Sequence, residues 1–337
     1  MIKKWFRDDL FRRLAKNVSV LVSGNVLASV FGLVSMTIAI KSIGALSYGT
    51  FVVIQTYILS VDGLLNFQAW QALIKFGSTS LTNKNEYELK KYIKFSFLLD
   101  ITSALIGTVC ALVLIDLVGN WLDWNSTTRI LAAFFSLFIL FHIYGTPIGI
   151  LRLFDRFKLI SIQKIAMSLL KVIVLVILVL VGITLESYVI AVLAVEIFGS
   201  VLLIVFALYT LKAEQILHWT KVPLKGLKEF FVFSIWSNLN TTISLPIKQF
   251  DKIIVAKLVS KEALAVYDLF KKISQILSKF INPIYQAVYP ELAKLIALNK
   301  LKKAVHSFYK IAFIIFGVSV VAVGIFSLFS GEVLQFL

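Results

Sequence analysis

Apolar residues run in long blocks along this chain, separated by short polar stretches. The blocks lie at approximately 17–40, 48–73, 92–117, 130–151, 161–182, 188–211, 229–257, 263–288 and 305–329. About 20 apolar residues in a helix cross the roughly 30 Å hydrocarbon core of a bilayer. Barrel strands would instead alternate over about ten residues. The pattern predicts an all-α integral membrane protein with about nine transmembrane helices.

Composition agrees with the pattern. The 337 residues are 59% apolar and 15% charged, with a mean hydropathy of +0.91. Soluble domains are nearer 45–50% apolar and about 25% charged. The single cysteine, Cys110, lies in an apolar block, forms no internal disulfide and reads as a small buried hydrophobe. The basic start, 1–16, leads into a block too long for a cleavable signal peptide.

A formal charge of +16 raises nucleic acid as a partner, but the distribution of that charge removes it. With the N-terminus in the cytoplasm, the loops on that side (1–16, 74–94, 152–164, 212–228 and 289–303) hold 23 Lys and Arg. The opposite loops hold four: Lys41, Arg129, Lys257 and Lys261. This bias is the positive-inside signature of a multi-pass protein of a bacterial inner membrane. Trp70, Trp121, Trp124 and Trp219 fall near block ends, as interfacial aromatics do.

A short internal repeat suggests two lobes. Lys41-Ser42-Ile43-Gly44 followed by Leu46-Ser47-Tyr48 is matched by Lys257-Leu258-Val259-Ser260 followed by Ala265-Val266-Tyr267. The copies are six segments apart, an even number, so they share one orientation, as in a parallel repeat. The expected organisation is a six-helix lobe at 1–214, a cytoplasmic linker at 215–228 and a partial second lobe at 229–337. That second lobe holds three helices, so the chain reads as a truncated member of a larger design.

Charges inside spans are costly, by about 2.5–3.5 kcal/mol each on insertion scales, and usually face the bundle interior or water. Segment 8 carries Asp268, Lys272, Gln275, Lys279, Asn282 and Gln286, at steps of four and three, on one helix face. Segment 7 carries Ser234, Asn238, Thr241, Lys248 and Lys252, with Asp251 beside them. Two facing polar stripes would line a hydrated cavity. Segment 2 offers Gln55, Asp62 and Asn66, and segment 1 offers Ser23 and Asn25. Asp100, Lys171 and Glu196 are lone intramembrane charges. Pro147, Pro246 and Pro283 each remove a backbone donor within a span.

Plainer readings stand beside these. Asp251 with Lys248, and Asp268 with Lys271 or Lys272, can be intrahelical ion pairs. Lys171 can snorkel to the interface. Lys252 and Asp268 can be solvated near the periplasmic end, and Asp62 can bond helices together. The balance of charge nevertheless favours an anionic ligand. Lys248, Lys252, Lys271, Lys272 and Lys279 stand against Asp251 and Asp268, a net +3. Lysine is a point-charge ligand for phosphate.

Enzyme signatures are absent. There is no GxxxxGK[ST], no GxSxG and no CxxC, and His142, His218 and His306 are scattered. No loop is large enough for a membrane glycosyl polymerase. No cofactor or metal is expected, and a transporter is favoured.

Several motifs in order along the chain resemble those of the Wzx-type polysaccharide flippases. Ile43-Gly44-Ala45-Leu46-Ser47-Tyr48-Gly49 is similar to that family's Leu-Gly-x-x-x-Tyr-Gly element between the first two spans. Asp251-Lys252-Ile253-Ile254 resembles its Asp-Arg element late in the seventh span, with Lys252 where arginine is frequent. Tyr267 and the polar face after it resemble the eighth span, closed by Tyr289-Pro290-Glu291. Gly149-Ile150-Leu151-Arg152 with Arg156-Phe157 resembles the fourth-to-fifth loop.

The resemblance implies the fold of the multidrug/oligosaccharidyl-lipid/polysaccharide exporter superfamily, with two six-helix lobes around a V-shaped cavity. It implies alternating access, with ion coupling left open. The implied substrate is an undecaprenyl-diphosphate-linked oligosaccharide repeat unit, O-antigen or similar, moved from the cytoplasmic to the periplasmic leaflet. On this reading Lys248, Lys252, Lys272 and Lys279 hold the diphosphate. Asn238, Asp251, Asp268, Gln275, Asn282 and Asp62 supply polar contacts and ion pairs. Expected partners are the lipid-linked oligosaccharide, membrane lipids, and a polysaccharide polymerase or chain-length protein. The family has twelve or more spans where nine are read here. Three competing readings are a multidrug exporter of the same superfamily, which calls for an acidic cavity; a truncated, non-transporting scaffold; and a membrane glycosyltransferase.

Overall fold

A computed structural model of the chain describes residues 9–67, 69–243, 249–274, 276–313, 316–317 and 320; side chains are described from residue 16, except at 273–284 and 286–287. Among the described residues the regular structure is entirely helical. The helices are α1 (Asp9–Leu65), α2 (Ala69–Thr82), α3 (Glu86–Trp121), α4 (Ser126–Phe141), α5 (Gly145–Leu153), α6 (Phe157–Val181), α7 (Leu185–Ala213), α8 (Lys228–Ile243), α9 (Asp251–Leu258), α10 (Lys261–Ser274) and α11 (Ile276–Ala297). A further helical stretch, α12, covers 301–313.

Among the described residues five runs are long and apolar enough to cross a membrane: Lys16–Thr82, Glu86–Trp121, Ser126–Leu153, Phe157–Val181 and Leu185–Ala213. The first, at 67 residues, would measure about 100 Å if straight, three times a bilayer core. It is divided at Gly44, whose φ of 80° and ψ of 157° lie outside the helical region and in a region essentially reserved for glycine. Ala28 and Gln55 consequently line the same cavity, although a straight helix would hold them about 40 Å apart. The chain therefore doubles back at Gly44, between the first two predicted segments.

Helix ends carry their expected caps. Asn85 accepts from the Glu88 N–H at 3.1 Å, and Asn125 from the Thr128 N–H at 2.8 Å. Thr184 and Ser187 form a reciprocal capping box. Gly182, in a left-handed conformation, closes α6. The outward face of α3 presents Leu105, Val109, Val113 and Leu117, and that of α6 presents Ile173, Ile177, Leu180 and Val181, all exposed. Such continuous apolar faces suit lipid and would be an aggregation hazard in water.

Two predicted segments are interrupted where the prediction had them continuous. Segment 2 breaks after Leu65, and Asn238 of α8 donates its side-chain amide to the Asn66 carbonyl there. Segment 4 breaks at His142–Tyr144, upstream of Pro147, which the sequence singled out as a kink site. Asp100 of α3 accepts from the Thr146 N–H at 2.6 Å, so a carboxylate caps the N-terminus of α5. Asp62 meets His142 Nδ1 at 2.9 Å, beside the same break. Non-helical backbone at membrane depth persists only where protein or a hydrated cavity satisfies it, and these polar side chains do so.

Loop contacts sort the chain ends into two groups. At one end Lys94 donates to the Val222 carbonyl at 2.8 Å, Arg156 pairs with Glu214 at 2.8 Å, and Lys294 with Asp155 at 3.5 Å. At the other, Lys257 pairs with Asp123 at 2.6 Å. The hydrogen bond and charge of Lys257 hold the Asp123 carboxyl below its ordinary range. These are the same two sets of loops that the Lys and Arg bias separates.

Candidate functional site

The packing of α1 against α6 builds one wall of a cavity. The Ser161 hydroxyl donates to the Val20 carbonyl at 2.8 Å, and one turn further along Lys164 donates to Asn25 Oδ1 at 2.9 Å. Gln163 donates to the Gly199 carbonyl at 3.1 Å, bringing α7 alongside. An aromatic cluster closes the far end, with Phe51 edge-on to Tyr188 at 4.9 Å and to Phe135 at 5.7 Å.

These elements line a half-open cavity of about 500 Å³. Among the described residues its charged lining is Lys164 and Lys171 from α6, Glu196 from α7 and Lys272 from α10. Three lysines against one glutamate leave a net +2. Lys164, Ser168 and Lys171 succeed one another at steps of four and three, so α6 presents them on one face. Lys171 makes no hydrogen bond or ion pair among the described residues, whereas Lys164 is held by Asn25 and Lys272 by Asp268.

Of the predicted site residues, only Lys272 lines this cavity among those described. Its ammonium lies 2.7 Å from Asp268, 3.1 Å from the Tyr48 hydroxyl and 3.6 Å from Met36 Sδ. Lys252 approaches Asp268 from α9 at 2.6 Å. Asp268 is 1% exposed, so it is not solvated at a helix end as one reading allowed. It is the shared counter-ion of two lysines on facing helices. Asp251 pairs with Lys271 across helices and accepts from the Tyr267 hydroxyl at 2.5 Å. Where described, segments 7 and 8 thus face each other at Lys252–Asp268 and Asp251–Lys271, and these charges bind one another.

Asn238 and Asp62 serve the helix breaks and do not line the cavity. Lys248, Gln275 and the side chains of Lys279 and Asn282 lie outside the described residues. Sequence reasoning assigned Lys164 to a cytoplasmic loop and treated Lys171 and Glu196 as isolated charges. The helical spacing of Lys164, Ser168 and Lys171 was the signal that could have joined them.

The motifs singled out from sequence gather where the first six segments meet the later ones. Gly44 turns the chain and Tyr48 accepts from Lys272. A Cβ on Gly49 would stand 1.9 Å from the Lys261 carbonyl oxygen, so only glycine permits α10 to approach. At the other end, the buried Arg152 guanidinium sits 4.5 Å from the Trp70 ring centre, Trp70 meets Tyr289 edge-on at 5.8 Å, and Tyr289 donates to the Gln71 carbonyl at 3.3 Å.

The long apolar helices, the satisfied breaks and the charged cavity define a multi-pass membrane protein. The sequence profile of the family described as "Polysaccharide biosynthesis protein" matches residues 14–296, and the chain belongs to that family. Over 163 residues it is 34% identical to the inner membrane protein YghQ of Escherichia coli (strain K12), a match covering 48% of this chain and 46% of YghQ. The alignment thus spans about half the length of that curated relative.

Solved structures show the fold. The chain superposes on a mutant form of the Vibrio cholerae MATE transporter VcmN with a TM-score of 0.75 at 13% identity, covering 96% of this chain and 74% of that one. It superposes on a MATE transporter in the straight conformation with a TM-score of 0.76 at 15% identity, covering 99% and 76%. An outward-facing MATE transporter of the MOP superfamily gives 0.74 at 15% identity, covering 98% and 74%.

Proposed function

We propose that this chain translocates a lipid-linked oligosaccharide, carried on a polyprenyl diphosphate, across the inner membrane by alternating access. The observation that carries the reading is Lys171, an ammonium on a membrane-spanning helix that lines the cavity with no direct ion pair among the described residues and one carboxylate, Glu196, shared with the other lysines of that lining. A charge at that depth is costly unless an opposite charge or water meets it. A diphosphate supplies the opposite charge, and Lys164 and Lys272 stand in the same lining. Family membership in polysaccharide biosynthesis supplies the chemical class.

A cavity of about 500 Å³ falls within the roughly 300–1,000 Å³ of small-ligand sites. That is room for the headgroup, with the lipid tail left outside. The net positive lining disfavours cationic drugs as cargo. Lys252 stays tied to Asp268 and sets the position of Lys272. Lys248 and Lys279 extend the same cationic stripe in sequence. The amides and hydroxyls of Gln55, Gln163 and Ser168 suit sugar hydroxyls. The N-terminus is cytoplasmic on this reading, in line with the loop charges.

The test is complementation of a flippase-null strain that accumulates a known lipid-linked repeat unit. Wild-type chain restores surface polysaccharide, and Lys171→Ala abolishes that restoration at equal membrane abundance. Failure of well-inserted wild-type chain across several repeat-unit types would instead point to a scaffold that does not transport.

A further inference from the structure

A second concavity lies away from the transport cavity. It has a volume of about 650 Å³ and is formed by the end of α11 and the start of α12. Lys294, Lys300, Lys302, Lys303 and Lys310 converge on it, with His306 beside them and Glu291 as the only carboxylate among the described lining residues. Lys294 is drawn to Asp155 and Glu291, at 3.5 and 3.9 Å. The charge is therefore concentrated on one concave surface, where Lys300, Lys302 and Lys303 stay exposed to a ligand.

The helix that supplies most of these lysines has three faces. Lys302, Lys303, His306 and Lys310 fall within one arc of the helical wheel and line the pocket. Ala304 and Ile311 are buried against the body of the protein. Leu301, Val305, Phe308 and Tyr309 occupy the third face and are exposed. A basic face adjoining an exposed apolar and aromatic face suits a helix that meets the membrane at its interface, with headgroups on one face and acyl chains on the other, as expected where the predicted segment 305–329 begins. Basic pockets between helices on the cytoplasmic side suit anionic headgroups.

We propose that this pocket binds the headgroup of an anionic phospholipid, with its acyl chains along Leu301, Val305 and Phe308. The lysines neutralise the lipid phosphate, and the neighbouring apolar face suits a ligand that carries a tail. The site is separate from the transport cavity and does not depend on what that cavity carries.

The test uses full-length protein in nanodiscs of phosphatidylcholine doped with phosphatidylglycerol or cardiolipin, with co-purified lipid counted by native mass spectrometry. Wild-type protein retains anionic lipid in preference to phosphatidylcholine. The triple variant Lys302→Gln, Lys303→Gln, Lys310→Gln loses that preference by about tenfold or more. The matched Lys→Arg triple keeps it, which separates lost charge from misfolding. Inorganic phosphate competes weakly, because it lacks the tail. Equal retention of phosphatidylcholine and anionic lipid by wild-type protein would overturn the proposal. So would full displacement by inorganic phosphate alone, which would mark a free-anion site, or a Gln triple that retains anionic lipid as wild type does.

Discussion

Lys272 donates a hydrogen bond to the Tyr48 hydroxyl at 3.1 Å, joining positions 224 residues apart in the chain. The same ammonium pairs with buried Asp268 at 2.7 Å and lines the cavity. One side chain thus couples the doubled-back α1 to the later helices and gives the cavity one of its cations.

Asp268 has two cationic partners, Lys252 and Lys272, so either lysine alone can neutralise it. Lys252→Ala and Lys272→Ala are each expected to cost little stability. Together they leave a buried carboxylate unpaired, a loss of about 3–5 kcal/mol. Melting of the detergent-solubilised single and double variants checks this, and additive small effects would contradict it.

The Tyr48-Gly49 pair predicts a steric outcome. Gly49→Ala places a methyl 1.9 Å from the Lys261 carbonyl oxygen, and backbone cannot yield as a flexible side-chain tip does. The variant is expected to displace α10 and lower the melting temperature. Gly44→Ala is strained for a different reason, its φ of 80°, at a cost of about 1–3 kcal/mol.

The break in segment 4 predicts a hierarchy at Asp100. Asp100→Ala leaves the buried Thr146 N–H without its acceptor, costing about 1–3 kcal/mol. Asp100→Asn retains an acceptor oxygen and is expected to cost less. Thermal unfolding in detergent ranks the two, and an equal loss would show that the negative charge, not the acceptor, supports α5.

Much of the fold was legible in the sequence because apolar length is a direct measure of the membrane core. The gap between the first two segments, where Gly44 turns the chain, was also readable as a pause in the apolar pattern, although the conformation of Gly44 was not. The break at residue 66 was not, since a hydropathy window averages across it and its rescuer, Asn238, lies 172 positions away. Pro147 pointed to the second break, but its carboxylate cap, Asp100, comes from another helix. At the site, sequence spacing showed that Asp268 could meet Lys272 within one helix. That Lys252 would share the same carboxylate required tertiary packing. The cavity was missed because its cations were divided between a loop and isolated positions, although their helical spacing was available.

The sorting of loops makes the proposed orientation testable. In a Cys110→Ser background, Asp123→Cys and Lys257→Cys are expected to react with a membrane-impermeant maleimide in intact cells whose outer membrane has been permeabilised. Asp155→Cys and Lys294→Cys should react only after the inner membrane is opened. The reverse pattern would invert the topology.

The most direct test of the transport reading is a purified system. Proteoliposomes carrying a polyprenyl-diphosphate-linked oligosaccharide are exposed to an external glycan-cleaving enzyme, and the rate at which inner-leaflet substrate becomes cleavable is measured. Wild-type protein is expected to accelerate that rate. Lys171→Ala and Lys272→Ala at equal incorporation are expected to lower it by roughly tenfold or more, the size of a lost charge-assisted contact of about 1.5–3 kcal/mol. A wild-type rate no faster than protein-free liposomes, or lysine variants that flip as well as wild type, would contradict the account.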